Sequence, residues 1–268
     1  MLSDTRPLKS LLGRFTGASG IDARAFRSTM VIATFHRVND WMATDGLTCS
    51  SAKFTAFCRF FATHSRVVAF SEQVAGCRAG RDMSGTVSIT FDDGYRDNFE
   101  TAAPILRALQ LPATFFITSG FIGSRVIAPW DSELQQQPGW MSWDQVRALV
   151  SQGFAIGNHT DTHIDMARSD QHTRRRELET SQQKIRQELG ISTPLFAYPF
   201  GGPEYFSESA RELVRECGFE CCASCYGGVN ALGASPYDLK RIPVVGEWFT
   251  TPEQFGFEFV LGRALGRI

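Results

Sequence analysis

Two carboxylates stand side by side in Thr90-Phe91-Asp92-Asp93-Gly94-Tyr95, directly after the β-rich run Val87 to Phe91. Neighbouring strand residues point to opposite faces, but a turn at the strand's end can aim both carboxylates into one cavity with different partners. Taken alone, the cluster reads first as a turn, since Asp-Gly after a strand is a common hairpin signal. Farther along, Ile156-Gly157-Asn158-His159-Thr160-Asp161-Thr162-His163 holds two of the chain's five histidines, four residues apart. That spacing predicts one face of a helical turn, close enough for both rings to reach one metal ion. Together the two clusters define a chemistry. Asp93, His159 and His163 make a two-histidine, one-carboxylate set, and three protein ligands with an open fourth position describe a catalytic zinc site. Zinc suits these donors, and cobalt or nickel would fit them too. The spare carboxylate, Asp92, can then take a proton from water activated by the ion.

These residues need a scaffold that brings distant strand ends together. Short apolar runs alternate with helix-like segments along the chain, the pattern of a parallel sheet or barrel covered by helices. Strands are expected at Met30–Phe35, Val67–Phe70, Thr86–Phe91, Ala113–Thr118, Phe154–Gly157, Leu195–Ala197, Phe219–Ser224 and Arg241–Val245. Helices are expected at Ser51–Thr63, Ser71–Ala79, Thr101–Leu109, Trp143–Gln152, Thr173–Leu189, Glu208–Cys217 and Pro252–Leu265. Ser142 with Gln145 reads as a capping box, and Thr251 caps before Pro252 at the first helical position. Both chemical clusters fall just after expected strands, the face where barrel enzymes place their sites. One domain is expected over residues 30–268, with residues 1–29 as a helical extension. In that extension Leu8, Leu11, Leu12 and Phe15 recur at helical spacing near Arg6, Lys9 and Arg14. Such a helix could lie on a membrane surface. The favoured expectation is that its apolar face packs on the barrel.

Composition narrows the function. Of 268 residues, 43% are hydrophobic, enough for one large core. The 27 basic and 28 acidic residues are well mixed, so no basic field is available for a nucleic-acid backbone. No apolar run approaches the ~20 residues that cross a bilayer, and Met1 to Gly20 lacks a signal-peptide core. Seven cysteines without framework spacing point to reduced thiols, and the expected location is the cytoplasm.

Thr-Phe-Asp-Asp-Gly followed by His-Thr-x-x-His resembles the polysaccharide deacetylases, the NodB-homology group or fourth carbohydrate esterase family. The resemblance runs from about Met30 to Gly246 and implies an α/β fold, a distorted (β/α)7-type barrel. It implies removal of acetyl groups from an N-acetylated carbohydrate, with Asp92 as base and Asp93, His159 and His163 as metal ligands. The third family motif matches Phe196-Ala197-Tyr198-Pro199-Phe200-Gly201, which implies a backbone N–H near Tyr198 at the oxyanion and aromatic walls along the groove. Two departures stand out. Many members carry a late Leu-x-x-His acid, but this chain has no histidine after His172. His36, in Thr34-Phe35-His36-Arg37-Val38, resembles the acid histidine of circularly permuted branches, where the first and last strands of a barrel are neighbours. An arginine expected upstream of the third motif is replaced by Pro194 and Leu195, and Arg241 is the candidate to pair with Asp92 instead. The related possibilities are a deacetylase or deformylase of a nucleotide- or lipid-linked sugar or other small amide, and a catalytically silent glycan-binding relative.

Other features carry ordinary readings. Cys222-Ala223-Ser224-Cys225 falls in an expected strand without a second pair to complete a zinc site. Trp130 and Trp248 are groove candidates, whereas Trp143 begins a capped helix and is expected in the core. Arg174-Arg175-Arg176 is expected to be a solvated helix face.

Overall fold

Two runs of β-branched and aromatic residues, MVIATF and TVSITF, form central strands that are buried along their whole length. Burial on both faces is the mark of a parallel sheet covered by helices. The computed structural model of the chain describes residues 5–245 and 249–266. Its strands are β1 (Met30–Phe35), β2 (Arg37–Val38), β3 (Thr48–Cys49), β4 (Arg66–Val67), β5 (Thr86–Phe91), β6 (Thr114–Ile117), β7 (Ala155–Asn158), β8 (Ala223–Gly227) and β9 (Leu239–Pro243). The main sheet is parallel, in the order β7-β6-β5-β1-β9-β8, with β4 paired to the start of β5. First and last strands therefore meet, Ala33 opposite Ile242.

The sheet is open between β7 and β8. In that gap lies the segment Leu195–Ala197, expected as a strand, which forms only two isolated bridges: Asn158 with Phe196 and Ala197 with Ala223. The helices are α1 (Arg6–Ser19), α2 (Ile21–Arg27), α3 (Ser51–His64), α4 (Phe70–Arg78), α5 (Ala103–Ala108), α6 (Trp143–Ser151), α7 (Gln171–Leu189), α8 (Glu208–Glu216) and α9 (Pro252–Ala264). Ser142 and Gln145 close the capping box of α6, and Thr251 caps α9 by accepting from the Gln254 N–H. Phe35, Phe54, Phe91 and Phe115 interleave with Val87 and Ile89 in the largest core cluster. The strand expected at Val67–Phe70 stops at Val67 because Phe70 opens α4, and α5 is preceded by a π-turn over Asn98–Ala102.

Two expectations are overturned. The apolar stripe of α1 does not pack on the barrel: Leu8, Leu11, Leu12 and Phe15 are all exposed. The opposite face packs instead, because Gly13 lets the backbones touch; a Cβ there would lie 1.9 Å from the Glu253 carbonyl oxygen of α9. Ser10 bonds Thr251 and Lys9 pairs with Glu258 on the same side. Arg174 is likewise not on a solvated face. It is buried at the start of α7, donating to the Ala167 carbonyl and Ser209 hydroxyl.

Candidate active site

The ends of β1, β5, β7 and β9 surround a cavity of ≈ 220 Å³. At the end of β5, Asp92 keeps strand geometry, its N–H donating to the Phe35 carbonyl at 3.0 Å. Asp93 then enters left-handed backbone at φ 73°, and Gly94 follows at φ 90°. A Cβ on Gly94 would come within 2.8 Å of Ile122, so the turn requires glycine. Left-handed backbone costs an ordinary residue about 1 kcal/mol or more. At Asp93 that turn separates the two carboxylates.

His159 and His163 follow β7, but not on the expected helical turn. Thr160 and His163 are left-handed, at φ 67° and 60°. Side chains hold this loop in place of helical hydrogen bonds. Asn158 accepts from the Thr160 N–H and the Thr160 hydroxyl from the His163 N–H, at 2.8 and 3.0 Å. Glu177 of α7 accepts from the N–H groups of Asp161 and Thr162.

This loop turns both rings onto one carboxylate oxygen. Nε2 of His159 and of His163 lie 3.4 and 3.3 Å from Asp93 Oδ1. The three side chains are 2, 7 and 3% exposed, respectively for His159, His163 and Asp93. Nδ1 of His159 lies 2.8 Å from the Ala197 carbonyl oxygen. A carbonyl only accepts, so Nδ1 carries the hydrogen and the lone pair of Nε2 faces Asp93. Two acceptors so close repel unless a cation or an extra proton stands between them. Asp93 Oδ1 is moreover buried without a hydrogen-bond partner. Two imidazoles and one carboxylate thus fit a divalent cation, with Ala197 orienting one of the ligands.

Arg241 of β9 is fully buried and reaches across the sheet to Asp92, with Nη1 on Oδ1 at 2.8 Å and Nη2 on Oδ2 at 2.7 Å. Its Nε donates to the Ser224 carbonyl and Nη1 also to the Thr90 hydroxyl. Burial alone would raise the Asp92 pKa, but Arg241, then His159, holds it below the ordinary value. Burial works the same way on Asp93, and the two histidines, where they carry a proton on Nε2, hold it well below. His36, at the end of β1, has Nε2 4.0 Å from Asp92 Oδ2. Burial lowers its pKa against the pull of Asp93 and Asp92, so the resting ring is neutral near pH 7.

Trp130, Tyr198 and Phe200 line the cavity together with Tyr226, which the sequence reading did not single out. The Trp130 and Phe200 rings sit 4.4 and 4.7 Å from the His163 ring. Pro199 lies between Tyr198 and Phe200 without lining the cavity. The Tyr198 N–H donates to the Ala223 carbonyl at 3.2 Å, so it is spent on the bridge to β8 and cannot serve as an oxyanion donor. Trp248 lies outside the described residues. Cys222 and Cys225 are both buried, and burial pushes the Cys225 thiol up to about 12, which does not suit redox exchange.

The sequence reading also missed a network behind Trp130. Arg37 donates to Asp131 at 2.5 Å, to Asp45 at 2.8 Å and to the Thr48 hydroxyl at 2.9 Å. Tyr95 donates to the other Asp131 oxygen and accepts from the Trp130 indole N–H. One arginine therefore ties together the two cavity rims that carry Leu47 and Trp130.

A parallel sheet with a histidine–aspartate cluster at its strand ends places the chain among α/β folds that build a site at one end of their strands. Residues 79–222, just over half the chain, match the family model for polysaccharide deacetylase, and the chain belongs to that family. The Bacillus subtilis protein YxkH, named for the same family, is 23% identical over 158 residues, covering 59% of this chain and 51% of that protein. The chitooligosaccharide deacetylase of Bradyrhizobium sp. is 32% identical over 93 residues, covering 33% of this chain and 34% of that protein. This chain thus spans about half the length of YxkH and less of the second relative. In fold it is similar to the Streptococcus pyogenes deacetylase PplD (TM-score 0.70, 16% identity, 85% of this chain and 96% of that one). It is similar also to IcaB from Ammonifex degensii (TM-score 0.69, 22% identity, 86% and 97%).

Proposed function

We propose that this chain hydrolyses the N-acetyl group of a carbohydrate at a divalent-metal site. One observation carries the reading: Asp93, His159 and His163 converge on one buried point beside a second carboxylate that Arg241 holds ionised. Asp93, His159 and His163 would hold the ion, zinc in this proposal, with cobalt and nickel compatible. Bound there, such an ion supplies an acidified water and polarises the acetyl carbonyl.

The remaining chemistry belongs to the chain's own groups. Asp92 takes the proton of the attacking water. Arg241 keeps the carboxylate charged and fixes its plane. The C–N bond breaks as His36 delivers a proton to the departing amine. Because the resting His36 is neutral, it must first gain that proton, and Asp92 Oδ2 lies 4.0 Å away. Transfer from Asp92 to His36 closes the proton count: one leaves water, one reaches the amine, and both residues return to their starting states. Trp130, Phe200 and Tyr226 offer flat apolar walls suited to a sugar ring.

On this reading residues 30–268 form the catalytic unit and residues 1–29 an extension of it. The cytoplasm is the proposed compartment, supported by seven free cysteines. The test is metal analysis of the purified protein together with acetate release from N-acetylated oligosaccharides and soluble monosaccharide conjugates. Asp92→Asn should retain the ion and lose turnover; wild-type turnover in that variant overturns the assignment of the base.

A further inference from the structure

Helix α1 buries its small and polar side and turns its apolar side outward, which is the reverse of a helix that belongs to a core. Leu8, Leu11 and Phe15 are 57, 50 and 66% exposed, and Leu12 lies between them on the same stripe. Nothing else in the chain covers that stripe among the described residues, since the packing on α9 runs through Ser10, Gly13 and Lys9.

The charge on α1 and α2 is mostly basic, with Lys9 already paired to Glu258 of α9. Residues 5–28 contain five basic side chains, Arg6, Lys9, Arg14, Arg24 and Arg27, and a single acid, Asp22. Asp22 is buried, held by the Ala23 N–H at 2.7 Å and facing His64 at 3.4 Å, so it offers nothing to the surface. The four arginines are exposed. The whole chain carries a formal charge of −1, so this basic surface is a local concentration and not a general bias.

We propose that the outward face of α1 docks on an anionic phospholipid bilayer, lying flat with its leucines and Phe15 among the acyl chains and its arginines among the headgroups. A helix of 14 residues is about 21 Å long, too short to cross the ~30 Å hydrocarbon core but of ordinary size for an interfacial helix. Charge complementarity selects this occupant over a second copy of the chain. Two such surfaces face to face would set arginine against arginine with no exposed acid on either segment. An anionic headgroup layer supplies a counter-charge to Arg14, Arg24 and Arg27, and each Lys or Arg near such a surface adds favourable attraction. No residue before His36 lines the catalytic cavity, so the docking surface can be altered without touching the proposed chemistry.

The test is co-sedimentation of the full chain with vesicles of phosphatidylcholine alone and of phosphatidylcholine mixed with phosphatidylserine. Binding is expected on the mixed vesicles and should weaken with added salt. Leu11→Ser combined with Phe15→Ser should lower the partition by at least about tenfold, because each removes a large apolar group from the bilayer. Arg14→Glu should weaken binding only where phosphatidylserine is present. Both variants alter exposed positions, so thermal unfolding should stay that of the parent chain. Equal sedimentation of parent and double-serine variant overturns the proposal, as does failure of the parent to bind mixed vesicles. A dimer in analytical ultracentrifugation that the double-serine variant dissociates, without vesicle binding by the parent, overturns it in favour of a second copy as occupant.

Discussion

Arg241 and Asp92 meet as a two-pronged pair, each guanidinium nitrogen on its own carboxylate oxygen at 2.8 and 2.7 Å, with both side chains buried. The partners come from β9 and from the end of β5, so the pair forms only when β1, the one strand between them, is in register with both. Removing one member strands the other charge in the interior. Arg241→Leu is expected to cost about 3–5 kcal/mol of stability, read from urea unfolding. Adding Asp92→Asn to it should recover part of that loss. A fully additive double variant would mean that the pair contributes nothing.

The two roles proposed around the cavity separate by metal content. His159→Ala removes a ligand and should leave the purified protein without its ion. His36→Ala should keep the ion and lower acetate release by about 10²- to 10⁴-fold, the usual range for an acid or base. Elemental analysis beside a turnover assay distinguishes them, and loss of metal in His36→Ala would count against its assignment as acid.

The Arg37 network predicts a coupled loss at the rim. Asp131→Ala leaves Arg37 with one buried partner fewer and frees the Tyr95 hydroxyl. The expected cost is about 3–5 kcal/mol, together with a higher KM as the Trp130 wall loosens. Metal content should not change, because neither residue touches Asp93 or the histidines. A KM equal to that of the parent would show that the wall does not depend on this anchor.

Asp97 gives a pH prediction. It is buried, accepts from Asn39 at 2.7 Å, and burial raises its pKa from 3.8 to about 6. The folded chain therefore holds this proton more tightly than the unfolded one. Its contribution to stability is fully present below about pH 4 and is lost as pH rises through about 6, amounting to about 3 kcal/mol. Between pH 4 and 7 the difference in unfolding free energy between parent and Asp97→Asn should move by that amount, in favour of the variant at the higher pH. A flat difference would remove the buried carboxylate as the cause.

Much of this arrangement is legible in the sequence because its signals are local. Val87–Phe91 has the composition of a buried strand, and Gly94 marks the turn that parts Asp92 from Asp93. The histidine spacing is legible in a different sense. It suggested a helical turn, whereas Asn158, Thr160 and Glu177 shape a loop that brings the rings together in another way. Arg37 and Asp131 gave no signal, since an arginine beside His36 and an aspartate beside Trp130 acquire meaning only from tertiary packing. The α1 stripe shows the limit of periodicity, which reveals which side of a helix is apolar but not where that side is turned. Gly13 was the available clue, a residue without a side chain on the face that packs.

The gap between β7 and β8 has a consequence for how the molecule should fail. The backbone pairing of Leu195–Tyr198 is short, a single bridge on either side, yet its Ala197 carbonyl fixes the tautomer of His159. A seam so sparsely stitched should open in small breathing excursions long before the phenylalanine interior melts. On gentle warming, the proposed metal site should loosen while the rest of the architecture is still intact.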